Sequence, residues 1–179
     1  MLFGSLLAWP VVCGHVADPE SAQGPEAASA PPRPALAERL PGSDPSVRIV
    51  RATDRRAQPL GGFARVAYAR AQAFNADSTA LLVLAEDETF HLLGVEDLDH
   101  RRALREVDGV DGEPQWHPGN PRMLRYFPGD QRSAIAELDV ESGVSRVLVD
   151  LGAGRLPWRD VVRVTTRWEG SPSSDGRYW

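Results

Sequence analysis

Residues 113–151 read EPQWHPGNPRMLRYFPGDQRSAIAELDVESGVSRVLVDL, and this stretch predicts the fold. Short apolar runs alternate here with turns rich in Pro, Gly, Asn and Asp, a pattern typical of consecutive β-strands joined by tight connections. After the opening at Trp116, strands are expected at MLRYF, IAELDV and VSRVLV. Together with the opening they make one four-stranded unit.

The opening of this unit recurs on both sides of it. QAFNADSTALLVL at 72–84 aligns with QWHPGNPRMLRYF at 115–127 when Ala76 is placed opposite Pro118, an offset of 42 residues. A third copy, GSPSSDGRYW, occupies 170–179. A unit of four strands that repeats every 40 to 45 residues, roughly, is typical of the blades of a β-propeller.

This alignment predicts an all-β fold, specifically a partial β-propeller. It contains two four-stranded blades and the start of a third, preceded by a disordered tail. Within the blades, the alignment puts Leu82 opposite Leu124 and Leu81 opposite Met123. A small β-sandwich that merely resembles blades is the alternative.

The repeat resembles the WD40-like repeats of TolB-type β-propellers. That pattern is aromatic-x-Pro-x-(Asp/Asn)-Gly, then an apolar strand, then a strand ending in Leu-Asp-Val-x-x-Gly. The residues that carry it are Trp116, His117, Pro118, Asn120, Leu138, Asp139, Val140 and Gly143, and again Pro172, Asp175 and Gly176. The first copy departs from the pattern, with Ala76 for Pro and Thr79 for Gly. The resemblance covers residues 72–179, and it also extends to bacterial propeller proteins without an assigned function.

The residues before the repeat predict export and a linker. Residues 1–16 hold an apolar run about as long as the core of a signal peptide, and a bilayer span needs roughly 20 apolar residues. We therefore expect a periplasmic or secreted protein. Val12 stands where a lipid-attachment motif has a small residue, which argues against a lipid anchor at Cys13. Residues 17–46 are mostly small, polar or Pro, so we expect a disordered linker before a folded part at 47–179.

The number of blades raises a further expectation. Propellers close with roughly four to eight blades, so we expect this chain to be the amino-terminal portion of a longer protein. Two blades without neighbours should also expose wide apolar faces and aggregate.

Charge and composition exclude several chemistries. The net charge is −5 with both signs interleaved, which argues against nucleic-acid binding. A single cysteine excludes an internal disulfide. His91, His100 and His117 occupy unrelated positions without a metal-binding spacing. We therefore predict no catalytic residue, no metal site and no cofactor.

Polar and aromatic residues just before the blade openings are the candidate ligand-binding residues. Connecting segments of a propeller tend to face one end of its central channel, where a protein or carbohydrate ligand would bind. The candidates are Arg70, Gln72, Asn75, His117, Trp168 and Glu169. The competing interpretation is that His117 caps a carbonyl in its turn and that the segments bind nothing.

The sequence thus favours a non-catalytic binding or scaffold module of an exported β-propeller protein. The alternative comes from a second resemblance. Oligogalacturonate-type polysaccharide lyases use a propeller of similar repeats and hold a metal with His and Gln, a role that would fall to His117 and Gln115 here.

Overall fold

The computed structural model describes residues 35–36, 38, 44–47, 49–130, 133–152, 155, 157 and 163–179. These residues lie in one compact unit, Pro34–Trp179. The apolar segment predicted at 1–16 and most of the linker predicted at 17–46 lie outside the described residues.

The all-β prediction is confirmed, because the described residues form two four-stranded antiparallel sheets and no α-helix. Both sheets run in chain order, as the blades of a partial propeller do. A 3₁₀ turn, Gly109–Gly112, lies between them. Sheet 1 consists of β1 Ala64–Arg65, β2 Ala80–Ala85, β3 Phe90–Gly94 and β4 His100–Leu104; sheet 2 consists of β5 Gln115–Trp116, β6 Met123–Tyr126, β7 Ala134–Asp139 and β8 Ser145–Asp150.

Aspartate side chains shape three of the hairpins. The carboxylates of Asp87, Asp97 and Asp139 each accept a hydrogen bond from the backbone N–H two residues on, at 3.0, 2.9 and 3.0 Å. Such side-chain bonds mimic a backbone turn and reverse the chain locally. Backbone N–H donors hold the pKa of all three carboxyl groups below its ordinary value.

The two sheets share an apolar core. It combines the facing sides of β2 and β3 with those of β6 and β7, and its members are buried. They are Leu82, Leu84, Phe90, Leu92, Leu104, Val107, Trp116, Leu124, Tyr126, Ala136, Leu138 and Val140. Burying one such large side chain contributes roughly 1.5–3 kcal/mol, so this shared layer is the main source of stability for both sheets.

The opposite face of sheet 1 is covered by the segment that precedes β1. Leu60 and Ala52 pack there against Val83 and Leu93. Gln58 is buried beside them and donates a hydrogen bond of 2.6 Å from Nε2 to the Leu98 carbonyl. The central strands β2 and β3 are therefore buried on both faces. The blade count alone predicted an exposed apolar face here, because it did not assign a packing role to residues 52–60.

Three turns reveal the true register of the repeat. Asp77, Asn120 and Asp175 each accept a backbone N–H from the residue two positions on, all at 3.1 Å. A backbone hydrogen bond closes each turn, and we call it the opening hydrogen bond of the copy. It joins the Asn75 N–H to the Ala80 carbonyl in the first copy and the Ser173 N–H to the Tyr178 carbonyl in the third. In the second copy it joins His117 to Met123, so this turn is one residue longer.

The longer turn moves the structural alignment to an offset of 43 between Asp77 and Asn120. Leu81 therefore corresponds to Leu124, and the sequence alignment was one residue out after the turn. Leu124 faces sheet 1, and Leu81 faces away from sheet 2. Equivalent side chains thus point in the same sense in both sheets, as they do in successive blades around a propeller axis.

The outer face of sheet 2 is more polar than its counterpart in sheet 1. The register places Arg125 where sheet 1 has Leu82, and Glu137 where it has Leu92. Glu137 is buried, with Arg125 Nε 3.7 Å from its carboxylate. Arg125 also donates to the Gly176 carbonyl at 2.9 Å, which fastens the third turn to this face.

Candidate functional site

Three chain segments meet along the β1 and β5 edges of the sheets. They are residues 66–75, 113–117 and 163–169. The first two are joined by a buried hydrogen bond of 3.1 Å from Trp116 Nε1 to the Ala73 carbonyl. The second and third are joined through the side chain of Glu113. The candidate site lies where these segments converge.

The first segment leaves the sheet because the edge strand of sheet 1 is split. β1 pairs with the last two residues of β2, and Phe74 forms an isolated bridge to Leu81 near the start of β2. Residues 66–72 run outside the ladder between these two pairings. Tyr68 and Arg70 lie on this excursion and are exposed.

Glu113 anchors the third segment. Its side chain is buried, at 3% exposed, and its backbone has a left-handed φ of 43°. The carboxylate accepts hydrogen bonds from Thr166 N–H at 3.0 Å, Thr166 Oγ1 at 2.7 Å and Trp168 N–H at 3.3 Å, and from the Thr165 hydroxyl. A buried carboxylate is tolerated only when its oxygens are satisfied in this way.

This anchor places Trp168 and Glu169 opposite the excursion. The Trp168 ring packs on the shared core, with its centroid 6.2 Å from that of Phe90. The Glu169 carboxylate forms an ion pair with Arg70 and lies 3.5 Å from the Tyr68 hydroxyl. The Arg70 and Glu169 side chains remain 65% and 52% exposed. An ion pair this exposed contributes between 0 and about 1 kcal/mol, so it adds little to stability.

Two other candidates, Gln72 and Asn75, take part in local structure. Gln72 Oε1 accepts the Phe74 N–H at 3.3 Å. Asn75 is buried, accepts the Ala80 N–H at 2.9 Å and donates to the Pro121 carbonyl at 3.1 Å. Both Asn75 bonds fix the first turn and its contact with sheet 2. Both polar atoms of the Asn75 side chain, Oδ1 and Nδ2, are therefore engaged in structural hydrogen bonds.

His117 also lies in a turn rather than beside Arg70. Its Nδ1 accepts the Gly119 N–H at 3.1 Å, and its Nε2 lies against Gly176 of the third turn. Gln115 is fully buried, and its Nε2 has no hydrogen-bond partner. In the part of the chain that the structure describes, no three His, Cys, Asp or Glu side chains are grouped to hold a metal ion.

The sequence analysis did not predict one contact between two histidine side chains. His91 on β3 and His100 on β4 face each other, with Nδ1 and Nε2 2.9 Å apart. Burial lowers the pKa of both imidazoles, and the neighbouring His100 lowers that of His91 further. The β3–β4 hairpin could have predicted this contact, because pairing the two strands across the Asp97 turn puts both histidines on one face of the sheet.

Comparison of this chain with protein-family models, curated proteins and solved structures finds no match. Among the described residues, no helix has the length and apolar character needed to cross a membrane. The functional argument therefore depends on the geometry of the site.

Proposed function

We propose that this chain is a non-catalytic binding or scaffold module of an exported, TolB-like β-propeller protein. Its ligand contacts the cluster of Tyr68, Arg70, Trp168 and Glu169 at the β1 and β5 edges. The observation that carries the proposal is that a buried Glu113 with a left-handed backbone holds the third segment in place, while the side chain of Glu169 stays exposed beside Arg70. Non-glycine residues held in a left-handed conformation are concentrated at functional sites.

The chemistry of the cluster suits a polar ligand with some apolar surface. Arg70 offers a planar donor fork and Glu169 offers carboxylate oxygens, while Tyr68 supplies both an aromatic face and a hydroxyl. The same stretch exposes further apolar side chains at Phe63, Val66 and Phe74. An extended peptide or an oligosaccharide presents this mixture of groups. The net charge of −5 argues against nucleic acid as the ligand.

Arrays of oligosaccharides and of extended peptides, probed with the labelled 179-residue chain, test the proposal. Any ligand found should bind Arg70→Ala and Glu169→Gln at least about tenfold more weakly, because each change removes a charged hydrogen-bonding group. The matched control is Arg101→Ala, which breaks another ion pair of similar exposure, 52% and 42%, with Asp97. Binding that responds equally to all three variants would contradict the assignment.

The non-catalytic part of the proposal has its own assay. Oligogalacturonate is incubated with the chain and Mn²⁺, and ultraviolet absorbance reports an unsaturated product. We expect no product. Product formation that is lost in His117→Gln and Gln115→Ala would identify a lyase instead.

A further inference from the structure

His91 and His100 form a cluster separate from the Arg70–Glu169 site. They lie on neighbouring antiparallel strands, where His91 pairs with Ala103 and Leu93 pairs with His100. Both imidazoles are on the face of sheet 1 that points away from sheet 2. The backbone ladder therefore holds two imidazole rings side by side, without help from a flexible loop.

The pair lies beside an open pocket on this face of sheet 1. His91 is 5% exposed, and His100 is partly buried. A cavity of about 350 Å³ lies against both rings and is also lined by Asp87, Thr89 and Arg105.

We propose that His91 and His100 bind a divalent transition cation, Cu²⁺ or Ni²⁺, through His91 Nδ1 and His100 Nε2. Imidazole nitrogens suit these metals, and square-planar or tetragonal geometry is typical of both. Two ligands at a right angle with bonds of about 2.0 Å are ~2.8 Å apart. The observed separation is 2.9 Å. Tetrahedral Zn²⁺ needs ligands ~3.3 Å apart, so it fits less well.

The protons balance without an outside reagent. Each neutral imidazole carries one N–H, and one of these protons lies between the two rings. When the metal binds, that proton moves to the second nitrogen of its own ring, either His91 Nε2 or His100 Nδ1. The depressed pKa of both imidazoles keeps the neutral, metal-binding form present at pH 7.

The surroundings supply charge and room for the ion. Asp87 is close enough to act electrostatically on His91, and it lies in the acidic turn of Glu86, Asp87 and Glu88. Arg105 opposes a cation, but its side chain is exposed to solvent, which screens it. Water in the cavity would fill the remaining coordination positions. The result is an exchangeable site rather than a structural one.

The test is a titration of the 179-residue chain with Cu²⁺, followed by calorimetry and electron paramagnetic resonance. We expect one equivalent with hyperfine coupling to two imidazole nitrogens. His91→Gln and His100→Gln should each weaken binding at least about tenfold, since even the loss of a group behind a ligand costs that much. His117→Gln is the control and should bind as the parent does.

Two results would overturn the proposal. One is the absence of a tightly coupled two-nitrogen signal in the parent chain. The other is binding that persists unchanged in His100→Gln, which would place the ion elsewhere. His100 is only partly buried, so this variant tests the site even if His91→Gln does not fold. Neither result bears on the Arg70–Glu169 ligand.

Discussion

At the scale of single residues, Glu113 positions the segment that carries Glu169, although Glu113 itself is buried beneath the Arg70–Glu169 site. Its backbone conformation costs about 1–3 kcal/mol, and its carboxylate is removed from water. Both costs are offset by the hydrogen bonds that it accepts from Thr165, Thr166 and Trp168. The ordering of this segment is what presents Glu169 to Arg70.

The histidine pair gives a prediction for pH dependence. In the folded chain the pKa of His91 and of His100 is lowered, chiefly by burial. The unfolded chain takes up protons near its ordinary histidine pKa of about 6.5, and the folded chain does so only at lower pH. The free energy of unfolding should therefore be highest above about pH 6.5 and fall as the pH drops from 7.5 to 5.5. Urea unfolding at a series of pH values measures it.

Variants separate this effect from other titrations. The hairpin carboxyl groups also have a lowered pKa, but they begin to protonate in the unfolded chain only near pH 3.9. His100→Gln should flatten the curve between pH 7.5 and 5.5, because it removes one of the two imidazoles whose pKa is lowered by folding. A parent curve that is already flat in this range would show that the pair does not titrate on folding.

Ligand binding by the residues chosen from the sequence stays a prediction. Arg70, Trp168 and Glu169 were picked because they precede blade openings, and the fold joins Arg70 to Glu169 across 99 residues. Asn75 was picked by the same rule, yet its side chain fixes a turn. Glu113 was not picked at all, because its partners lie more than 50 residues away and leave no local pattern.

At the scale of elements, the turns decide which way each strand faces. A strand shifted by one residue presents its other face, so the extra residue in the second turn must be absorbed before β6 begins. The turn absorbs it between His117 and Asn120, and the aspartate-type turn and the opening hydrogen bond survive in all three copies. Sequence alignment missed this because the conspicuous Pro118, not Asn120, was taken as the anchor.

Deleting Gly119 tests the equivalence of the turns. A methyl group placed on Gly119 would meet no atom within 4 Å, so this residue occupies open space. The deletion should give the second turn the length of the first and third, and we expect it to cost less than about 1.5 kcal/mol, the net contribution of its hydrogen bond to His117. Urea unfolding, followed by tryptophan fluorescence, measures the cost.

The control deletes Ser78 from the first turn, which has no spare residue. This deletion should shift β2 by one position and direct Leu81 and Val83 to the wrong face, with a loss of at least about 4 kcal/mol or no folded protein. Equal costs for the two deletions would mean that the turns are not interchangeable.

At the scale of the whole molecule, one shared core makes the two sheets interdependent. Each sheet contributes one apolar face to it, and the partly buried Trp168 also packs against it. The second face of sheet 1 is protected by Leu60 and its neighbours, and the second face of sheet 2 is partly polar. The period of the sequence predicted the two sheets. It could not predict that residues such as Leu60 cover the second face of sheet 1, because this segment is not part of the repeated sequence.

Leu124→Ala tests whether the sheets unfold as one. Leu124 is fully buried in the shared core, so its truncation should cost about 2–5 kcal/mol. Because the core is shared, the loss should appear equally in both sheets, and amide hydrogen exchange should quicken by the same factor in β3 and in β7. Leu148→Ala is the matched control, since Leu148 is 41% exposed on β8, and it should change the free energy of unfolding by less than about 1 kcal/mol. Faster exchange in β7 with β3 unchanged would show instead that sheet 1, closed by its own cover, is stable without sheet 2.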